Sequence, residues 1–185
     1  MEYRRFRLPL LFLAVTVPLL ASGRVSSESG GIPKRASVRG VVLSNFLSRG
    51  QVRPTAGIPV YLIALEDAAG LTKLQQEAYQ QAHRAGLDER QAGLAARKYY
   101  DHALGLVLRL RGRAKAVTKS DKNGFYRFLG VPVGKAYKII AVEPYEDDVI
   151  LAIQTTPVVK PGQRLRLDLN DQDPWWETPA AWAQK

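Results

Sequence analysis

The sequence predicts a mainly β chain: seven short strands in a sandwich, with an α-helical hairpin inserted between the second and third strands. Three observations carry this. The run Ser120 to Glu143, SDKNGFYRFLGVPVGKAYKIIAVE, reads as a tight turn, a short strand, a second turn and a longer strand. In Arg164-Leu165-Arg166-Leu167-Asp168-Leu169 the alternation is strict, leucines to one side and charges to the other. Between residues 71 and 108 the apolar period changes from 2 to near 3.6, and from Lys115 it returns to 2.

Residues 1–23 look like a secretory signal. Arg4, Arg5 and Arg7 form a charged start, Leu8 to Leu20 an apolar stretch, and Ala21-Ser22-Gly23 a small-residue site, with cleavage expected before Arg24. The alternative is an uncleaved anchor. Thirteen mostly apolar residues holding two prolines are short for a bilayer span of about 20. The expected address is therefore periplasmic or secreted, with no transmembrane span after cleavage. Residues 24–35, RVSSESGGIPKR, are a Ser/Gly/Pro-rich flexible lead-in.

The sandwich is expected over 36–170. Ala36 to Ser44 is the first strand, residues 45–56 a loop, and Gly57 to Leu65 the second strand, with Pro59 tolerable near its start. Leu71, Leu74, Ala78, Ala82 and Ala85 then mark one helical stripe. Ala92, Ala96, Tyr99, Ala103 and Leu106 mark another. Thr72 with Gln75, and Asp88 with Gln91, have the spacing of N-cap and N3 partners. Gly86 suits the left-handed end of the first helix. The remaining strands are expected near 115–120, 125–131, 135–143, 148–159 and 164–170, joined by turns at Asp121-Lys122-Asn123-Gly124, Pro132-Val133-Gly134 and Pro161-Gly162. The tail 171–185, DQDPWWETPAAWAQK, holds all three tryptophans, Trp175, Trp176 and Trp182.

Of 185 residues, 46% are apolar, which suits a globular chain, and formal net charge is +10. Removing residues 1–23 takes away three arginines and one glutamate, leaving about +8. A basic exported chain favours anionic surfaces, lipid head groups or acidic polysaccharide, although scattered charge also serves plain solubility. There is no cysteine, so disulfides, thiolate metal sites and a lipidated cysteine are excluded.

The β portion resembles the carboxypeptidase regulatory-like domain family, a transthyretin-like (prealbumin-like) sandwich. The matching residues are Val38-Arg39-Gly40-Val41-Val42, the Gly57-Ile58-Pro59-Val60 strand start, and the run Ser120, Asp121, Gly124, Tyr126, Phe128, Val131, Gly134 and Tyr137. Two residues, Lys135 and Ala136, separate Gly134 from Tyr137, where the family usually has one. The likeness covers about 36–66 and 115–170, not the hairpin or the tail, and it bears on fold far more than on function. Each matched residue has a physical role. Asp121 and Gly124 set a turn that ends at positive φ, Tyr126 and Phe128 face one side of the sheet, and Gly134 reverses the chain. Gly57, Pro59, Asp121, Gly124, Tyr126, Phe128, Gly134 and Tyr137 are thus read as determinants of fold.

No catalytic constellation emerges, and no cofactor or metal is expected. Enzymes of this fold that hydrolyse hydroxyisourate use strand His and Arg residues and a C-terminal Tyr-Arg-Gly-Ser; here the two histidines, His83 and His102, lie on the expected helices. Intradiol dioxygenases hold iron with two Tyr and two His, but adjacent Tyr99 and Tyr100 point about 100° apart on a helix. Some adhesin repeats with this fold form a Lys–Asn isopeptide bond beside a carboxylate. Glu143 and Asn170 suit the acid and the amide, but the first strand carries Arg39, and Lys34 precedes it. Asp121 to Gly124 starts like a calcium loop and lacks its distal Glu; Glu146, Asp147 and Asp148 read as an exposed acidic turn.

The interaction candidates are two. Arg109, Arg111 and Arg113, with Lys115, recur every second residue and form a basic stripe if extended, fit for phosphate or acidic glycan or else a solvated strand face. No interleaved aromatic platform accompanies them, which argues against nucleic acid. Trp175, Trp176 and Trp182 suit sugar stacking or a partner's groove, or else the tail folds back over the sandwich. The expected function is a non-enzymatic binding or assembly module contacting another envelope or secreted protein through hairpin and tail; the alternative is a carbohydrate-binding module.

Overall fold

The computed structural model describes residues 35–44, 51–83, 86–145, 148–171, 173 and 175–176. The expected signal segment 1–23, residues 24–34 of the expected lead-in, Ala85, Glu146, Asp147 and Trp182 lie outside the described residues. In chain order the elements are β1 (Ala36–Ser44), β2 (Arg53–Pro54), β3 (Pro59–Ala64), α1 (Ala69–Ala82), α2 (Glu89–Arg97), α3 (Tyr100–Leu110), a 3-10 turn at Arg111–Arg113, β4 (Ala116–Lys119), β5 (Phe125–Val131), β6 (Tyr137–Tyr145), β7 (Asp148–Thr155), β8 (Arg164–Arg166) and β9 (Leu169–Asn170). This is the mainly β sandwich with a helical insertion that the periodicity predicts.

One sheet runs β4-β3-β6-β7 and is antiparallel throughout. The other is built around β1. β5 pairs antiparallel with Ala36 to Val41, and β2 continues on the same flank at Leu43 and Ser44. On the opposite flank β8 and β9 run parallel to β1. Between the sheets lies one core, with Val38, Val60, Leu62, Ile139 and Leu169 all under 2% exposed. A second core lies between the β4-β3-β6-β7 sheet and the helices, where Ile63, Leu71, Ala78, Ala103, Val107 and Ile140 are fully buried. Strands β3 and β6 therefore bury both faces, and their sequences, PVYLIA and YKIIAVEPY, are near-continuous apolar runs.

The turns form for the reasons their residues suggest. The Asp121 carboxylate accepts the amides of Asn123 at 2.8 Å and Phe125 at 3.0 Å, and Gly124 has φ 75°. A Cβ on Gly124 would also meet Pro54 at 2.8 Å. Gly130, with φ 69°, is the extra residue of a bulge in β5 where the pairing with β1 shifts between Ala36 and Ser37. Tyr126 and Phe128 face the inter-sheet core as a T-shaped pair, and the Tyr126 hydroxyl donates to the Leu167 carbonyl at 2.5 Å.

Four expectations are corrected. The hairpin is three helices, because the second expected helix breaks at Lys98-Tyr99. Asp88 and Gln91 do form a reciprocal capping box, but Thr72 is no cap: α1 begins at Ala69, and the Thr72 hydroxyl bonds back to the Ala68 carbonyl. The expected last strand is split into β8 and β9. There the Asp168 carboxylate, in place of a backbone carbonyl, accepts the Val41 amide at 3.0 Å. Finally, Arg109, Arg111 and Arg113 form no extended stripe. Arg109 lies in the last turn of α3, Arg111 and Arg113 lie in the 3-10 turn, and Arg111 sits over the Tyr61 ring at 5.4 Å.

Candidate functional site

The two sheets differ in what covers their outer faces. On the β4-β3-β6-β7 sheet, Tyr61, Ile63, Ile140, Val142, Leu151 and Ile153 are roofed by α1 and α3. Trp175 joins this roof at 5% exposed, in edge contact with Tyr100 at 6.0 Å and Trp176 at 5.9 Å. Trp175 is thus no open stacking platform. The tail folds back here, since burying an indole removes more apolar surface from water than any other side chain available to it. The indole nitrogen of half-buried Trp176 is enclosed without a hydrogen-bond partner among the described residues.

Lys138 lies within this covered layer, fully buried. Its ammonium donates to Gln75 Oε1 at 2.5 Å and to the Thr155 hydroxyl at 3.2 Å. Gln75 in turn donates from Nε2 to the Trp175 carbonyl at 2.5 Å. A sheet residue, a helix residue and the tail are joined in one relay. Burial pushes the Lys138 pKa down to about 7, since the neutral amine loses less on leaving water.

A second buried titratable group lies at the end of β6. Glu143 is 3% exposed, and its Oε1 has no hydrogen-bond partner among the described residues. Burial and, to a lesser degree, the nearby Asp171 charge push its pKa up, against a Ser44 hydrogen bond that lowers it. Ser44 Oγ also lies 2.8 Å from Asp171 Oδ2. Asn170 pairs with Leu43. The acid and the amide segment do meet in space at the end of β1, but β1 contributes a serine there.

The outer face of the β1 sheet is open. Residues of one parity on β1, β5 and β8 point outward, and the pairing sets them in rows across the strands. Arg127, Arg39 and Arg166 form one row; Leu129, Ser37 and Arg164 form the next. Phe125 lies beside Val41 in a third, near Asp168. All four arginines are exposed, as are Leu129 at 68% and Phe125 at 54%. Arg166 pairs with Asp168 at 3.1 Å. No ion pair among the described residues involves Arg39, Arg127 or Arg164. Sequence reading found Arg166 and Asp168 as outward charges and missed the row, because its members come from three separate segments.

The remaining candidates sit apart. Gly57 (φ 79°) donates its amide to the Ser120 carbonyl, and Pro59 is the first residue of β3. Gly134 (φ 82°) donates to Val159, and the Tyr137 hydroxyl to Pro132 at 2.9 Å. The Tyr100 hydroxyl accepts the Leu151 amide at 3.2 Å, Tyr99 is half-buried, and His102 is exposed. His83 stacks on Tyr79 at 3.9 Å. No group of three or more metal-ligating side chains occurs among the described residues, and none of their helices is long and apolar enough to cross a membrane.

No family model matches the chain, and no curated protein matches it. Among solved structures, the chain is similar to a Pseudomonas aeruginosa protein given as a candidate carbohydrate-binding protein, at 15% identity and TM-score 0.39, over 82% of this chain and 99% of that one. It is also similar to the pilus backbone protein RrgB of Streptococcus pneumoniae, at 10% identity and TM-score 0.31, over 72% of this chain and 40% of that one.

Proposed function

We propose that the chain is a non-enzymatic binding module of the cell envelope or exterior, whose working surface is the open face of the β1 sheet. The observation that carries this is the contrast in cover. One sheet has helices and a tryptophan over its outer face, while the other presents three arginines in a row beside exposed Phe125 and Leu129. Cross-strand pairs of like charge destabilise a sheet, so the row is a cost that folding does not require and an anionic partner offsets. The non-enzymatic part of the reading is supported by Lys138 and Glu143, two titratable groups shifted by burial, which are 0% and 3% exposed and so out of a ligand's reach. The helices and Trp175, first expected to make the contacts, serve in this reading as the roof of the second core.

Dicarbonyl labelling of arginines tests it. Incubation with acidic polysaccharide, neutral polysaccharide and anionic vesicles in turn is expected to show that at least one protects Arg39 and Arg127 while Arg90 and Arg97 on α2 stay reactive. Uniform labelling in every case overturns the reading.

A further inference from the structure

The geometry points to a linear, carboxylate-bearing polysaccharide as the occupant of the open face, an inference that rests on the binding-module reading above. The charged groups come first. Strands lie about 4.8 Å apart, so the stems of Arg127, Arg39 and Arg166 rise along a line roughly 10 Å long, perpendicular to the strands. Every cation on this patch is an arginine. The planar guanidinium fork matches a carboxylate through two parallel hydrogen bonds, which a lysine ammonium does not. Asp168, the acid beside Arg166, is already occupied: it accepts the Val41 amide and pairs with Arg166. Arg39 and Arg127 remain for a ligand.

The apolar groups then select among polyanions. Phe125 and Leu129 flank Arg127 on the same strand and the same face. Both side chains are shorter than an extended arginine, so they form an apolar floor beneath a rail of charge. A protein lying on a bilayer needs the reverse order, with apolar groups reaching deeper than the cations. A sugar ring bearing a carboxylate at its rim fits the order seen here. Its C–H face rests on Phe125 or Leu129, and its charge meets the guanidiniums. A row crossing three strands also suits an extended chain better than a compact ligand.

Polygalacturonate is the probe, with binding measured by calorimetry at moderate salt. Arg39→Gln/Arg127→Gln/Arg166→Gln is compared with Lys73→Gln/Arg90→Gln/Arg97→Gln, which removes the same charge from the helices. Because Arg166→Gln releases Asp168, the double variant Arg39→Gln/Arg127→Gln is measured alongside. The open-face variants are expected to weaken binding about tenfold or more, and the helix variant less than about threefold. Equal weakening by both sets means that net charge alone attracts the polymer, and it overturns both this inference and the binding-face reading. Binding to phosphatidylglycerol vesicles through the same arginines, without polygalacturonate binding, overturns the saccharide and leaves the face standing. Absence of binding to either probe overturns both.

Discussion

The covered face of the β4-β3-β6-β7 sheet and the open face of the β1 sheet belong to one sandwich, yet they are built on opposite terms. Under the helices a lysine is buried with two polar partners, and an indole closes the layer. On the other side exposed arginines stand in register, with no element among the described residues packed above them. The first arrangement spends side chains on stability, and the second spends stability on exposed charge. Where a chain keeps a costly surface, that surface is the better place to look for a partner.

The comparison breaks most readily at Trp175. Trp175→Ala is expected to lower stability by about 3–5 kcal/mol, and Leu71→Ala by about 2–5 kcal/mol, both read by urea unfolding. If either change costs no more than a surface substitution, the helices do not roof the sheet as described.

Lys138 sharpens the contrast through pH. Its pKa is about 7 in the folded chain against an ordinary 10.5. Between those values the unfolded chain binds the extra proton, so stability rises with pH, by up to about 1.4 kcal/mol per unit. Lys138→Met is expected to flatten that rise between pH 7 and 10.5. Glu143 acts with the opposite sign at lower pH. Its raised pKa means that the folded chain holds its proton longer, so stability falls as pH climbs from 4.5 through the folded value, and Glu143→Gln removes the fall. Unfolding measured across the two ranges separates the groups, and an unchanged profile in either variant would refute its assignment.

The smallest effects belong to the open face. Arg127→Gln is expected to raise stability by about 0.2–1 kcal/mol, with the gain shrinking at high salt. Leu129→Ser should stay within about 0.5 kcal/mol of the parent. A loss of several kcal/mol at either position would mean that the face is covered by part of the chain itself.

Much of the scaffold was legible because local signals and tertiary demands agree there. β1 and β5 fall where alternation places them, and Asp88 caps its helix as its spacing with Gln91 predicts. The buried lysine was legible in principle, since Lys138 shares a face with Ile140 and Val142 in a strand apolar on both sides. Three features were not. Asp168 reads as an outward charge, and only the parallel approach of β8 and β9 to β1 turns its carboxylate onto the Val41 amide. Gly40 reads only as one residue of the opening strand, but a Cβ there would lie 1.7 Å from the Leu167 carbonyl oxygen, so the close crossing demands a glycine. The arginine row depends on the register of strands far apart in sequence, which no local pattern encodes.

The parallel pairing of β8 and β9 with β1 has a mechanical consequence. The first and last strands of the sandwich lie side by side and point the same way. Tension applied before Ala36 and after Asn170 therefore pulls the two strands along their length in opposite directions. Their hydrogen bonds, together with the Val41–Asp168 link, are loaded in shear and must yield together, not one at a time from an end. A chain anchored at both ends would meet force with its seam, which the Arg39–Arg166 pair straddles, while the helices carry none of it.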